Sequence, residues 1–242
     1  MINFSGISDK NVLGKLLRLP LKFIPKNMIM PILQGKLKGK KWIVGSGNHG
    51  CWLGSYEYDK QRLFSEIVTE GSVVYDIGAH VGFYTLLASV LVGPRGKVIA
   101  FEPLPKNIQY LKEHLKINQC NNVEVIEAAV SSKSGKSFFI QGGNTFTGYL
   151  SKDTEGIEIE IISLDDLINK NNLPIPHIIK IDVEGAELEV LKGAKDLIAT
   201  KKPTIFLSVH TKDIRKKCHQ FLKMNGYNLE ASTEGDLMIA KK

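Results

Sequence analysis

Apolar residues gather along this chain in short runs, and the runs that carry the argument stop at an ionisable side chain. Val73-Val74-Tyr75 stops at Asp76, Lys97-Val98-Ile99-Ala100-Phe101 at Glu102, and His177-Ile178-Ile179-Lys180-Ile181 at Asp182. Thr204-Ile205-Phe206-Leu207-Ser208-Val209 stops at His210. Short runs rich in β-branched and aromatic residues predict buried strands. Between them the apolar spacing becomes helical, over residues 85–91, over 104–118 through Ile108, Leu111, Leu115 and Ile117, and over 185–194 and 213–224. Val123-Glu124-Val125-Ile126 reads as a further strand, and Ser163 followed by Asp165-Asp166 as a helix start. Strand and helix in alternation predict an α/β fold with a doubly wound, mostly parallel sheet. The last two strands, near residues 227–231 and 237–240, are too close for a parallel crossover and should form an antiparallel terminal hairpin.

Two stretches break this rhythm. Ser137-Phe138-Phe139-Ile140 and Ile157-Glu158-Ile159-Glu160-Ile161 predict an inserted antiparallel hairpin joined by a polar, glycine-rich loop over 141–156. Asn144, Thr145 and Tyr149 in that loop are candidate acceptor contacts. Near the start, Val12, Leu13, Leu16 and Leu17 share a helical face with Lys10, Lys15 and Arg18 elsewhere on the circumference, before Pro20, Pro25 and Pro31 cut the segment up. Residues 1–41 are thus expected to be a basic amphipathic extension, and 42–242 the catalytic domain, with Trp42-Ile43-Val44 as a brief strand. Residues 1–34 suit either packing on the core or peripheral contact with anionic membrane.

Charge and cysteine content narrow the classes. The 242 residues carry a net charge of +7, compatible with nucleic acid or anionic lipid. The interleaved basic and aromatic residues of a base-stacking surface are missing, so nucleic acid is the weaker expectation. Cys51, Cys120 and Cys218 are odd in number and lack metal-ligand spacing. No apolar run reaches the roughly 18 residues of a membrane span, and no signal-peptide core is visible, so a cytoplasmic protein is expected.

The stretch Tyr75-Asp76-Ile77-Gly78-Ala79-His80-Val81-Gly82 is a strand, a glycine-bearing turn and a helix start. In an open α/β sheet the ligand crevice lies at such a turn. Asp76, with Glu102 one strand later, suits a ribose-bearing cofactor. A dinucleotide fingerprint, however, needs glycine two positions after Gly78, and His80 stands there. Gly135-Lys136-Ser137 resembles the end of a P-loop, but Val130 occupies the required earlier glycine position. The spacing fits a ligand without phosphates, with a cationic centre and an amino-acid tail, and S-adenosylmethionine is such a ligand.

These segments, together with Phe101-Glu102-Pro103, Gly54-Ser55-Tyr56-Glu57 and above all Lys180-Ile181-Asp182-Val183-Glu184-Gly185-Ala186-Glu187, resemble the FkbM family of S-adenosylmethionine-dependent methyltransferases. The resemblance implies a class I methyltransferase (Rossmann-like) fold that methylates a hydroxyl oxygen of a sugar, glycolipid or natural product. It places Asp76, Gly78, Ala79, His80 and Gly82 along the methionine part of the cofactor, Glu102 on the ribose, and Glu127, Ala128 and Ala129 beside the adenine. Tyr56 and Glu57 are candidates for a lid on the cofactor crevice, with Glu57 counted among the cofactor-binding residues. The family pattern often has asparagine where this chain has His80.

Asp182 and His210 end strands that neighbour each other in the class I order, so both can reach one acceptor hydroxyl. His210 is the candidate base, Asp182 orients it or binds the acceptor, and Glu184 is a further catalytic candidate that also suits a helix cap. No metal site is required, although Asp182 and Glu184 could share Mg²⁺ with the substrate. Two competing expectations are an RNA methyltransferase and a non-catalytic cofactor-binding protein at a membrane surface.

Overall fold

The computed structural model describes residues 20–141, 148–151, 156–171, 173–231 and 236–242. A 3-10 turn at Pro20–Phe23 precedes a hairpin of β1 (Ile29–Pro31) and β2 (Lys41–Ile43). The short helix Gly50–Leu53 and the helix Tyr58–Ile67 lead into β3 (Val73–Ile77). The helix Phe83–Val92, β4 (Lys97–Phe101), the helix Pro105–Ile117 and β5 (Val123–Ile126) follow. Next come β6 (Ala129–Val130), β7 (Gly135–Gln141), β8 (Gly148–Ser151), β9 (Ile157–Ile162) and the helix Leu164–Asn171. The chain then runs through β10 (Ile178–Ile181), the helices Glu187–Lys192 and Lys195–Thr200, β11 (Thr204–Ser208), the helix Lys212–Met224, β12 (Asn228–Ala231) and β13 (Leu237–Lys241).

The central sheet has the order β12-β13-β11-β10-β3-β4-β5. Strands β11, β10, β3, β4 and β5 are mutually parallel, and β13 runs antiparallel to β11 and β12, which gives the expected doubly wound sheet and terminal hairpin. Both faces are covered, as a parallel sheet requires. Alternation along β3 sends Tyr75 and Ile77 into one core with Ile99, Ile179 and Leu207. Val74 points into the other, with Trp42, Phe64, Leu86 and Phe206. Each large side chain sealed this way contributes about 1.5–3 kcal/mol relative to exposure.

Three elements differ from expectation. The loop expected over 141–156 contains a strand, β8, which pairs with β7, and together with β6 and β9 these make a four-stranded sheet. The helix expected over 185–194 is shorter, Glu187–Lys192, and a second helix, Lys195–Thr200, follows it. A Cβ on Gly193 would lie 1.9 Å from the Ser131 carbonyl oxygen, so the chain bends where it is pressed against the neighbouring loop. The Tyr58–Ile67 helix went unread because Tyr58-Asp59-Lys60-Gln61-Arg62 is polar, and Lys60 and Gln61 are buried through hydrogen bonds rather than through an apolar stripe.

The expected boundary between residues 41 and 42 falls inside the first hairpin. Pro31 lies opposite Lys41 and Met30 opposite Trp42, and Ile32 and Leu37 are buried in the same core as Trp42. The Trp42 ring stacks on His114 at 3.8 Å between centroids, and His114 accepts from the Ile43 amide at 3.2 Å. Burial pulls the His114 pKa down to about 4, so the ring is neutral in that contact. Val12, Leu13, Leu16, Leu17, Lys10, Lys15 and Arg18, together with Asn144 and Thr145, lie outside the described residues.

Candidate active site

The carboxyl ends of β3, β4 and β10 open onto a cavity of about 530 Å³, within the roughly 300–1,000 Å³ of small-molecule sites. Gly78, Ala79, His80, Glu102, Ala128, Ala129, Asp182 and Glu184 line it, as does Tyr56. Glu57, Asp76, Gly82, Glu127 and His210 are not among its lining residues.

Asp76 is fully buried, and its partners explain why it can be. The β3–β10 register sets Lys180 directly beside it, with Nζ 3.0 Å from Asp76 Oδ1, and Thr85 Oγ1 donates to Asp76 Oδ2 at 2.6 Å. A second Lys180 Nζ–H donates to the Gly78 carbonyl at 2.9 Å. Burial opposes charge on Lys180, but the carboxylates of Asp76 and Asp182 outweigh it and hold the ammonium above its ordinary pKa. Asp76 therefore fastens the cofactor turn from behind instead of facing the crevice. A lysine in an otherwise apolar strand was the available signal for this, since a buried cation needs a paired anion.

The two glycines act on protein as much as on ligand. Gly78 has φ +75°, and a Cβ there would meet the Asp182 carbonyl oxygen at 1.9 Å, so only glycine lets the β3 turn pack against the end of β10. Gly82 has φ +92°, and its absent Cβ makes room for Leu111 Cδ1.

Glu102 draws the two sides of the turn together. Its Oε2 accepts the His80 amide at 2.8 Å, and its Oε1 accepts the Leu104 amide at 3.1 Å and Asn107 Nδ2 at 3.0 Å. Burial raises its pKa despite these bonds. Oε2 thus has acceptor capacity left beyond its bond to His80, and Glu102 lines the cavity, as a ribose-binding carboxylate must. Past Ala128 and Ala129 the wall is apolar, with Pro103, Leu104 and Val130, and suits a flat heterocycle. The residues present therefore fit S-adenosylmethionine. Glu127 is outside the lining and pairs with Lys112 at the surface.

The remaining wall comes from the segment before β3. Glu57, at φ +45°, accepts from Lys60 Nζ at 3.1 Å, and Lys60 also reaches Asp236 at 2.7 Å. Glu57 thus fixes this wall, while the neighbouring Tyr56 meets the cavity. Burial works against the Lys60 charge, but its bonds to Asp236 and Glu57 prevail and raise its pKa.

At the mouth, His210 Nε2 lies 2.9 Å from Asp182 Oδ1 and 3.9 Å from Glu184 Oε2. The Asp182 hydrogen bond pushes His210 up to about 9 against a smaller effect of burial. Burial would raise the Asp182 carboxyl, but His210 and Lys180 hold it below its usual value. The ligand atoms of Asp182, Glu184 and His210 all lie within 4.8 Å of one another, close enough to share a divalent cation. Glu187 is fully buried and accepts the Gly185 amide at 3.0 Å, which orders the turn carrying Glu184. His80 is half-buried against the cavity, and desolvation with the nearby Lys180 charge brings it down to about 4.

Glu57, His80 and Glu184 all have φ between 45° and 53°, so three side chains around the cavity sit on left-handed backbone. Such positions cost on the order of 1–3 kcal/mol each and persist where the surroundings over-determine them.

The family profile described as "Methyltransferase FkbM domain" matches residues 76–231, the span from Asp76 to the end of β12. The chain belongs to the FkbM methyltransferase family. This FkbM protein is accordingly an S-adenosylmethionine-dependent methyltransferase. It is 32% identical over 190 residues to the hexuronic acid methyltransferase AglP of Haloferax volcanii, covering 77% of each chain. It is 25% identical over 199 residues to the 31-O-demethyl-FK506 methyltransferase FkbM of Streptomyces tacrolimicus, covering 64% of this chain and 76% of that one. Among solved structures, methyltransferase FkbM from Methylobacillus flagellatus matches with a TM-score of 0.54 at 18% identity. That match covers 81% of this chain but only 56% of the other, so the FkbM protein spans about half the length of that relative. Precorrin-6y C5,15-methyltransferase from Geobacter metallireducens matches with a TM-score of 0.51 at 19% identity, over 75% and 88% of the two chains. These two likenesses concern the fold alone. No helix among the described residues is long and apolar enough to cross a membrane.

Proposed function

We propose that this FkbM protein methylates a hydroxyl oxygen of a sugar-containing acceptor, with His210 as the base. The observation that carries the reading is the Asp182–His210 pair at the cavity mouth, 2.9 Å apart and only partly exposed. The 32% identity to a hexuronic acid methyltransferase favours a glycan over other hydroxyl acceptors.

Bound S-adenosylmethionine supplies an electrophilic methyl group. Glu102 would accept from its ribose hydroxyls, Ala128 and Ala129 would border its adenine, and the turn from Gly78 to His80 would receive its methionine part. Tyr56 and Phe83 exclude water from one wall. An alcohol attacks well only as its proton leaves, so a positioned base contributes about 10²–10⁴-fold. With His210 Nε2–H donating to Asp182 Oδ1, Nδ1 is the atom that takes the acceptor proton, and Asp182 stabilises the imidazolium that results. Glu184, at the rim, accepts from a second acceptor hydroxyl. Alignment of the attacking oxygen by these groups supplies the larger part of the acceleration.

A second reading has an observation of its own, since Asp182, Glu184 and His210 also satisfy the spacing of a cation site. An imidazole among two carboxylates suits Mn²⁺ or Zn²⁺ better than Mg²⁺, which favours oxygen alone. Transfer of labelled methyl from S-adenosylmethionine to glycans ending in hexuronic acid, with neutral sugars alongside, tests the acceptor class. Full activity after exhaustive chelation supports the His210 base, and loss restored by Mn²⁺ supports the cation. Failure to label any glycan would overturn the acceptor assignment.

A further inference from the structure

Charge on this chain is segregated. Residues 10–56 hold nine Lys or Arg and no Asp or Glu, more than the whole net +7 of the molecule. The apolar surface is segregated in the same place. Seven large apolar side chains stand exposed among the described residues, and Phe23, Met28, Ile29 and Leu33 are four of them, Phe23 being 81% exposed. Around them Lys26, Lys36, Lys38 and Lys41 are exposed, with no acidic partner among the described residues.

Backbone bonds hold these side chains on a fixed platform. The Gly45 amide donates to the Lys26 carbonyl at 2.6 Å, Val44 to Met28 at 2.9 Å, and Ile32 to Lys40 at 2.7 Å. Alternation along β1 and the residues after it turns Ile29, Pro31 and Leu33 outward while Ile32 is buried, and Lys41 stands opposite Pro31. Ordered apolar side chains ringed by unpaired cations match the boundary between acyl chains and anionic head groups.

We propose that the β1–β2 hairpin is a docking surface for an anionic lipid bilayer. Nucleic acid would use the lysines and the Phe23 ring but has no use for the aliphatic Ile29 and Leu33, and the tryptophans that could extend a stacking surface, Trp42 and Trp52, are buried. A second copy of the chain would bring like charge against like. The surface is tied to the catalytic cavity, because the Leu33 amide donates to the Trp52 carbonyl at 2.9 Å and the adjoining Gly47, Asn48, Cys51 and Tyr56 line the cavity wall. A docked molecule holds that wall beside the bilayer, where a lipid-borne acceptor presents its head group; this last step rests on the glycan reading above.

The test is co-sedimentation of the full chain with phosphatidylcholine vesicles, with and without one third phosphatidylglycerol, in low and high salt. Binding is expected to the anionic vesicles alone, with release at high salt. K36Q/K38Q/K41Q should weaken it on the order of 100-fold, at about 1 kcal/mol per lysine. F23S/I29S/L33S should weaken it at least tenfold. Calorimetric binding of S-adenosylmethionine by each variant shows that it is folded, and vesicle binding is read without any acceptor, so the docking can fail while the glycan reading stands. Equal binding to neutral vesicles, no binding to anionic ones, both triple variants binding like the parent, or preferential binding of an RNA oligomer would each overturn the proposal.

Discussion

Two carboxylates end neighbouring strands of this sheet, and each is paired with a cation, yet they do different work. Asp76 closes β3 and meets Lys180 where both side chains are at most 5% exposed. Asp182 follows β10 and meets His210 where the side chains are 20% and 34% exposed. In the first pair both groups are sealed from solvent and Lys180 also donates to the Gly78 carbonyl, so the pair holds the glycine turn in place. In the second the cation is a group that can gain and lose a proton at the mouth of a cavity. Burial, rather than residue type, separates the structural carboxylate from the one proposed to act in catalysis.

The comparison can be broken at either pair. Asp76→Ala should have the largest effect, because it strands the Lys180 charge in the interior at a cost of about 3–5 kcal/mol. For a chain of this size that is a fall in Tm on the order of 10 °C, visible by calorimetry. The double variant Asp76→Asn with Lys180→Met should recover much of the loss, because no unpaired charge remains.

His210→Ala should do the reverse. Turnover falls about 10²–10⁴-fold and S-adenosylmethionine affinity stays close to the parent value, while Tm at neutral pH falls less than in Asp76→Ala because the pair that is lost is partly exposed, as kinetics and calorimetry on one preparation would show. The pH profile sharpens the same contrast. His210 is charged below about 9 and then has no lone pair for a proton, so kcat/KM should rise about tenfold per unit up to about pH 9 and level off above it. Stability moves the other way. The folded pKa lies above the ordinary 6.5, so the stabilisation from the pair is complete below about 6.5 and fades as pH rises through about 9. A denaturation series across that window checks the sign.

The smallest expected effect is at His80. Asparagine tolerates φ near +53° as well as histidine does, so His80→Asn should change stability by less than about 1 kcal/mol, measured by chemical denaturation. A larger loss would mean that the imidazole itself holds the turn.

Much of the sheet was legible because a parallel strand buried on both faces leaves a plain apolar run, as at Val98 to Phe101 and Ile205 to Leu207. The ends of those runs named Glu102, Asp182 and His210 for the same reason: an ionisable residue after a buried run stands at the crevice. What the pattern could not carry is anything decided by partners distant in sequence. Local spacing sets Asp76 at the ligand because Lys180, more than a hundred positions away, is invisible to it. Lys60 and Gln61 hid the Tyr58–Ile67 helix because their burial is stabilised by polar contacts, to Asp236 in the case of Lys60. β8 escaped notice because Gly148-Tyr149-Leu150-Ser151 is short and lies in a polar, glycine-rich stretch. Glycine gave the position of each tight turn but not the reason, which at Gly78 is a protein carbonyl.

The most direct measurement of the central claim is the pH dependence of kcat/KM for methyl transfer, taken on the parent protein and on His210→Ala with S-adenosylmethionine affinity recorded in parallel. The account requires a limb rising to about pH 9 in the parent, its disappearance in the variant, and unchanged cofactor binding in both. A variant that keeps the parental limb and turnover would contradict it, and would return His210 to a structural partner of Asp182.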